Sequence, residues 1–311
     1  MCMCKPSPVH EGSKKAIIAA FFANLGIAIA KFVGFLLTGS AALVAESLHS
    51  LADTGNQGLL MLGNKRALRE ADEDNPFGHA RERYFWAFVV ALVLFSLGGL
   101  FALYEGIQKL RHPHEVESLP IAIGILMFAI ALESVSLVTA IREARHTKSP
   151  HVSWWSYIQQ AKQPELPVVL LEDIAAETGL AIALTAVVIG HFTHEPRWDA
   201  AGSIAIGILL VVVAGVLAVR MKSLLLGEIA SPADREKLVR ALRSAPHVMR
   251  VIYMHTEHLG PDTLLVAAKV EFSHHLSAAD VSDAIDDAEV RMRASVPIAK
   301  YIFLEPDISR D

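Results

Sequence analysis

Residues 41–63 read AALVAESLHSLADTGNQGLLMLG, a run long enough to cross a lipid bilayer that nonetheless carries Glu46, His49, Asp53, Asn56 and Gln57. Steps of three and four place these residues on one stripe of a helix. A charge near the bilayer centre costs roughly 2.5–3.5 kcal/mol on insertion scales, so such a stripe should face protein or an ion rather than lipid. His49 and Asp53, at i and i+4, are neighbours on it, and their imidazole and carboxylate can close on one ion. A borderline-soft nitrogen paired with an oxygen suits Zn²⁺ and related first-row divalent metals better than Mg²⁺ or Ca²⁺.

Outward from this segment, further apolar runs occupy 16–37, 84–107, 119–141, 166–192 and 199–220. Each is sufficient for a hydrocarbon core of ~30 Å at about 1.5 Å per residue. Gly39-Ser40 leaves room only for a tight hairpin between the first two. The expected fold is an α-helical membrane protein with six transmembrane helices, which puts both termini on one side. Lys14 and Lys15 resemble the start of a signal peptide, but an apolar run of this length without a small-residue cleavage site reads as a retained helix.

The basic residues orient the chain. The arm and two loops on one face carry Lys5, Lys14, Lys15, Lys65, Arg66, Arg69, Arg81, Arg83, Arg142, Arg145, Lys148 and Lys162, against Lys109, Arg111 and Arg197 on the other. This bias places both termini in the cytoplasm of a multi-pass protein, in the cell (inner) membrane if the source is bacterial. Trp154, Trp155 and Tyr157 read as ordinary loop anchoring at the interface.

Composition agrees. The chain has 311 residues, 53% hydrophobic and 20% charged, with a net charge of −5 from 33 acidic and 28 basic side chains. Collagen-like, disulfide-scaffold and disordered classes are excluded, and no basic domain points to nucleic acid. Cys2 and Cys4 are too close for an ordinary bridge, and with His10 they read as an unbound arm.

Beyond residue 222 the composition becomes that of a soluble domain. Ser231-Pro232 with Asp234 opens a helix that should end near Pro246. Residues 248–257 and 262–272 are rich in β-branched and apolar side chains and flank Gly260-Pro261-Asp262, which reads as a hairpin. Ser277 with Asp280 resembles a capping box for a helix to about residue 294, and Tyr301-Ile302-Phe303-Leu304 makes a last strand. The expected domains are a cytoplasmic arm (1–15), a membrane domain (16–222) and a small cytoplasmic α-β-β-α-β domain (223–311).

The fifth run holds the second polar group, Leu170-Leu171-Glu172-Asp173-Ile174-Ala175-Ala176-Glu177. Asp173 and Glu177 share a face, while Glu172 points about 100° away. Three unpaired charged carboxylates here would cost on the order of 8–10 kcal/mol, which a divalent cation or bound protons would offset. Asn24 and Ser134 read as interhelical hydrogen-bonding residues, and Glu133 reads as a candidate proton carrier. The loop after the second run, Asp72-Glu73-Asp74-Asn75-Pro76-Phe77-Gly78-His79, reads as solvated, with Asp72 and His79 as a weaker second metal pair.

The run from Gly39 to Asp53, GSAALVAESLHSLAD, followed by NPFGHARER from Asn75 to Arg83, resembles the cation diffusion facilitator family. Leu171-Glu172-Asp173 and the ending Phe303-Leu304-Glu305-Pro306-Asp307 resemble one zinc-transporter-like branch of it. The resemblance covers nearly the whole chain, including a tail similar to the family's metallochaperone-like cytoplasmic domain.

The resemblance implies a ligand pair in the second span, His49 and Asp53, and a second pair in the fifth, whose last carboxylate is Asp173. Val169 stands where many members have His or Asp. The fourth position then falls to Glu172, to Glu177 or to water, in that order. Asp72 and His79 match a peripheral cytoplasmic-side site in which Asn75 replaces a histidine. His255, His258, His274 and His275 read as surface histidines. The resemblance also implies a homodimer formed through the C-terminal domain.

The function expected is secondary active efflux of a divalent cation, Zn²⁺ before Co²⁺, Fe²⁺, Cd²⁺ or Mn²⁺, from the cytoplasm by proton antiport, with no organic cofactor. Metal binding needs deprotonated ligands, so protons and metal compete for the same atoms. Helix rocking about a fixed site would give alternating access, and no ATP motif is present. An intramembrane metalloenzyme is disfavoured by the lack of H-E-x-x-H and of a nucleophile elbow. A membrane metal sensor or a non-transporting metal-binding subunit is the alternative reading.

Overall fold

The computed structural model describes residues 25–39, 41–113, 119–148 and 150–308. The expected arm 1–15, with Cys2, Cys4 and His10, and Asn24 lie outside the described residues. The chain divides into two compact units: described residues up to Asn64 with Phe85–Met221, and Lys65–Tyr84 with described residues from Lys222 onward.

The first unit is helical. Helix α1 (Leu25–Thr38) ends at Gly39. That glycine takes φ 63° and donates its amide to Phe35 O at 2.7 Å, closing the helix in the left-handed conformation that glycine adopts without a side-chain penalty. α2 (Ala41–Ala67) contains the polar stripe. α3 (Glu82–Arg111) widens into π-helical turns over Leu94–Leu100. α4 (Leu119–Thr147), a short α5 (Trp154–Gln160), α6 (Glu165–Thr193) and α7 (Arg197–Leu226) follow.

Among the described residues, four segments are long and apolar enough to cross a membrane: Glu82–Arg111, Leu119–Arg145, Glu165–Thr193 and Arg197–Leu226, of 27–30 residues with mean hydropathy 1.6–2.7. At about 1.5 Å per residue each exceeds a ~30 Å hydrocarbon core. Only the second half of the first expected run is described, and α2 is long enough but diluted by its polar stripe. Many large apolar side chains of these helices are exposed, among them Leu97, Phe128, Val135, Ile208, Val212 and Val219, a surface suited to lipid. Small residues bring α3 and α7 together. A Cβ on Gly99 would stand 2.8 Å from Val211 Cγ2, and one on Gly207 2.7 Å from Leu103 Cγ, so both positions require glycine's close approach.

In the second unit, α8 (Pro232–Arg243) is capped by Ser231, whose hydroxyl accepts from Asp234 N at 3.1 Å. β1 (Val248–Gly260) and β2 (Thr263–Phe272) pair antiparallel, α9 (Ala278–Ser295) crosses over, and β3 (Ala299–Pro306) pairs parallel to β2. The sheet order is β1-β2-β3, so the expected α-β-β-α-β order is the one observed. The capping box at Ser277 and Asp280 is present with both reciprocal bonds. Leu238, Leu242, Leu264, Val266, Val270 and Met292 form the core between helices and sheet.

The segment 65–84 belongs to this unit. Arg81 pairs with Glu257, Arg83 Nη1 stands 2.9 Å from Asp262 Oδ2, and Phe77 meets Tyr301 edge-on at 5.2 Å. One expectation is corrected here. His258 is not a surface histidine: it is 2% exposed because β1 carries it inward, with Nδ1 3.3 Å from Gly260 O. His255, His274 and His275 are exposed.

Candidate metal centre

Helical spacing puts the polar stripe of α2 inward, and packing buries it. Glu46, His49, Asn56 and Asp53 are all buried. His49 Nε2 stands 3.6 Å from Asp53 Oδ2. In a tetrahedral site with metal–ligand bonds of about 2.0–2.2 Å, adjacent donors are about 3.3–3.6 Å apart, so this pair is spaced to share one ion. It is also unsaturated. Among the described residues, both ring nitrogens of His49 and Asp53 Oδ1 are buried without a hydrogen-bond partner, as are Glu46 Oε1, Asn56 Oδ1 and Gln57 Oε1 on the same helix. Buried polar atoms are nearly always satisfied, so the orphaned atoms of His49 and Asp53 fit a cation as the missing partner.

On α6 the two adjacent carboxyls diverge, as a 100° step requires. Glu172, 4% exposed, turns to α2, where its Oε1 accepts from Asn56 Nδ2 at 2.7 Å. Asp173 turns to α4, and its Oδ2 accepts from Ser136 Oγ at 3.0 Å. Glu177 also faces α4: its Oε1 accepts from Ser134 Oγ at 3.0 Å, while its Oε2 has no partner among the described residues. Ser134 thus makes the interhelical hydrogen bond expected of it. Among the described residues, no three His, Cys, Asp or Glu side chains converge as a preformed metal cage. His49 and Asp53 are together, Glu172 is linked to their helix through Asn56, and Asp173 and Glu177 are engaged by the serines of α4. Val169 packs beside Ala140, Ile158 and Leu170 in an apolar cluster.

Sequence reasoning missed Lys31. This lysine of α1 is wholly buried, donates to Ser50 Oγ at 2.7 Å and to Glu46 Oε2 at 3.2 Å, and stands 3.7 Å from Glu133 Oε1. A basic residue in the middle of the 16–37 apolar run was the available signal. Ser136 was missed because a single serine in a membrane helix is unremarkable in sequence. Lys109, counted above among loop charges, is instead buried at 3.0 Å from Asp199 Oδ2.

The loop pair also forms. Asp72 Oδ2 lies 3.0 Å from His79 Nε2, and its Oδ1 accepts from Asn75 N at 2.6 Å and Asn75 Nδ2 at 3.1 Å. These bonds, the Asn75 side chain first and then His79, hold the Asp72 carboxyl below the ordinary carboxylate range. Asn75 therefore braces Asp72 where a histidine would supply a further metal donor.

A family model described as the cation efflux transmembrane domain matches residues 17–226. The mouse (Mus musculus) mitochondrial proton-coupled zinc antiporter SLC30A9 is 33% identical over 263 residues, which is 84% of this chain and 46% of that protein. Metal tolerance protein C4 of Arabidopsis thaliana is 29% identical, covering 85% of this chain and 58% of that protein. Magnetosome protein MamB of Paramagnetospirillum magneticum is 27% identical, over 92% of this chain and 90% of that protein. The chain spans about half the length of the first two of these relatives.

Proposed function

The chain belongs to the cation diffusion facilitator family of membrane metal efflux transporters, zinc-transporter-like and not an enzyme, and we propose that it exports Zn²⁺ from the cytoplasm in exchange for protons. The observation that carries this reading is the His49–Asp53 pair, buried, spaced 3.6 Å apart and left with orphaned donor atoms. In the proposed cycle the ion enters between α2 and α6 and draws Glu172 and Asp173 toward His49 and Asp53. Glu172 takes the fourth position before Glu177, since Asn56 already aims it at α2. Metal binding demands deprotonated carboxylates and a neutral imidazole, so each Zn²⁺ that binds releases protons and each proton that returns weakens the metal. That competition couples the two fluxes, and helix rocking moves the site between the two faces. Asp72 and His79 act as a peripheral loop site of lower affinity.

The same reading has six transmembrane helices within a membrane domain of residues 16–222, both termini in the cytoplasm, and a cytoplasmic domain of 223–311. It also has a homodimer built through the second unit, whose sheet leaves Tyr253 and Phe303 exposed. Zn²⁺ uptake into proteoliposomes under an imposed pH gradient tests the function, with Asp53→Ala and Asp173→Ala alongside the unmutated chain. Both variants should lose most of the flux. Full flux in both would overturn the site.

A further inference from the structure

Lys31 reaches from α1 into the same stripe of α2 that carries the candidate site. Its ammonium is wholly buried and stands between two carboxylates from different helices, Glu46 Oε2 on α2 at 3.2 Å and Glu133 Oε1 on α4 at 3.7 Å, with Ser50 Oγ at 2.7 Å completing its contacts. Glu46 in turn lies against Gly179 of α6, where a Cβ would collide with Oε1. One lysine thus ties α1, α2 and α4, and its partner carboxylate touches α6. Two carboxylates that share one cation carry a residual negative charge. Without Lys31 they would present the charge that matches a divalent ion, on oxygen donors alone.

We propose that Lys31 is a resident counter-cation that keeps Glu46 and Glu133 closed to the transported metal and so confines the ion to the level of His49 and Asp53, one turn further along α2. This rests on the reading of the α2 stripe as a metal path. Glu46 is three residues from His49 on that stripe and has an orphaned Oε1. A cation moving along the stripe therefore meets a carboxylate of equal reach whose charge is already taken. Lys31 is a positioning residue in this scheme and does not touch the ion.

Removing its charge should open a second, oxygen-only site. Such a site favours harder cations than the imidazole-bearing site does, so Mn²⁺ is the discriminating probe. Equilibrium dialysis of the purified full chain against Mn²⁺ should give Lys31→Gln about one more ion per chain than the unmutated protein. Lys31→Arg and the double variant Lys31→Gln/Glu46→Gln should show no such gain. In proteoliposomes, Zn²⁺ flux should fall about tenfold or more in Lys31→Gln, because buried carboxylates left unpaired are costly. It should recover to within about threefold of the unmutated rate in the double variant, whose net charge at this cluster, one carboxylate in excess, is again that of the unmutated chain. A loss of packing alone would lower flux without adding a bound ion, and removing Glu46 as well would not rescue it. Unchanged Mn²⁺ stoichiometry in Lys31→Gln, or an extra ion that persists after Glu46→Gln, overturns the proposal. If Lys31→Gln does not yield dispersed protein, the double variant decides: it should fold and transport, and its failure to do so equally overturns the proposal. If the unmutated chain moves no Zn²⁺, the transport reading fails while the dialysis result still decides the role of Lys31.

Discussion

Replacing Asn56 by leucine tests whether Glu172 is a metal ligand. Asn56 Nδ2 donates to Glu172 Oε1 at 2.7 Å, and both side chains are buried. A hydrogen bond to a charged group is worth about 1.5–3 kcal/mol. At about 1.4 kcal/mol per decade, losing it from the metal-loaded state weakens Zn²⁺ binding about 10- to 150-fold. That range overlaps the loss of about 10- to 100-fold usual when a partner that orients a ligand is removed. Leucine is close to asparagine in size, so the helix contact stays filled. The assay is competition for Zn²⁺ with a chromogenic chelator at fixed pH, in an Asp72→Asn background that silences the loop pair. Asn56→Leu should act only through Glu172, so in a Glu172→Gln background it should cost less than about twofold more. A Kd within about twofold of the parent for Asn56→Leu alone, or full additivity of the two substitutions, would refute the role of Glu172.

Three further outcomes follow from the same geometry. Gly179→Ala places a methyl against the Glu46 carboxylate, which Lys31 holds in place. It should destabilise the chain by about 1–3 kcal/mol, as overpacking does, and a thermal melt that leaves the midpoint unchanged would count against this α2–α6 contact. Lys109→Met removes a buried cation that stands 3.0 Å from Asp199 Oδ2 and should destabilise the chain; a thermal melt that leaves the midpoint unchanged would contradict it. Because the folded Asp72 carboxyl is held below its unfolded value, its contribution to loop order is fully present above about pH 4 and lost as pH falls through the folded value. Amide protection at residues 72–79, taken relative to intrinsic exchange at each pH, should therefore fall on acidification below that point in the parent and be insensitive to it in Asp72→Asn.

The parts of the fold legible in sequence were those governed by local rules. The capping box at Ser277 and Asp280, the two strands flanking Gly260-Pro261 and the polar stripe of α2 each declare themselves by spacing, and each is present. The divergence of Glu172 and Asp173 was also readable, since a helix turns 100° between neighbours. Which helix each carboxyl meets was not, because that depends on packing: Asn56 and Ser136 are chosen by the arrangement of α2, α4 and α6. Lys31 and Lys109 escaped for a related reason. Charge counting treats a lysine at the end of an apolar run, such as Lys109, as a marker of orientation and passes over one inside a run, such as Lys31, whereas burial beside Asp199 or Glu46 makes each a structural cation. His258 was misplaced because the two faces of β1 cannot be told apart from its sequence, where apolar and polar residues do not alternate regularly.

The most direct test of exchange at this site is simultaneous recording of Zn²⁺ and H⁺ movement in the same proteoliposomes. With an inward proton gradient and Zn²⁺ inside, Zn²⁺ should leave as protons enter, both fluxes should collapse on adding a protonophore, and both should vanish together in Asp53→Ala. Zn²⁺ movement that continues at the same rate after the gradient is collapsed, or in Asp53→Ala, would contradict proton-coupled export through the α2 site.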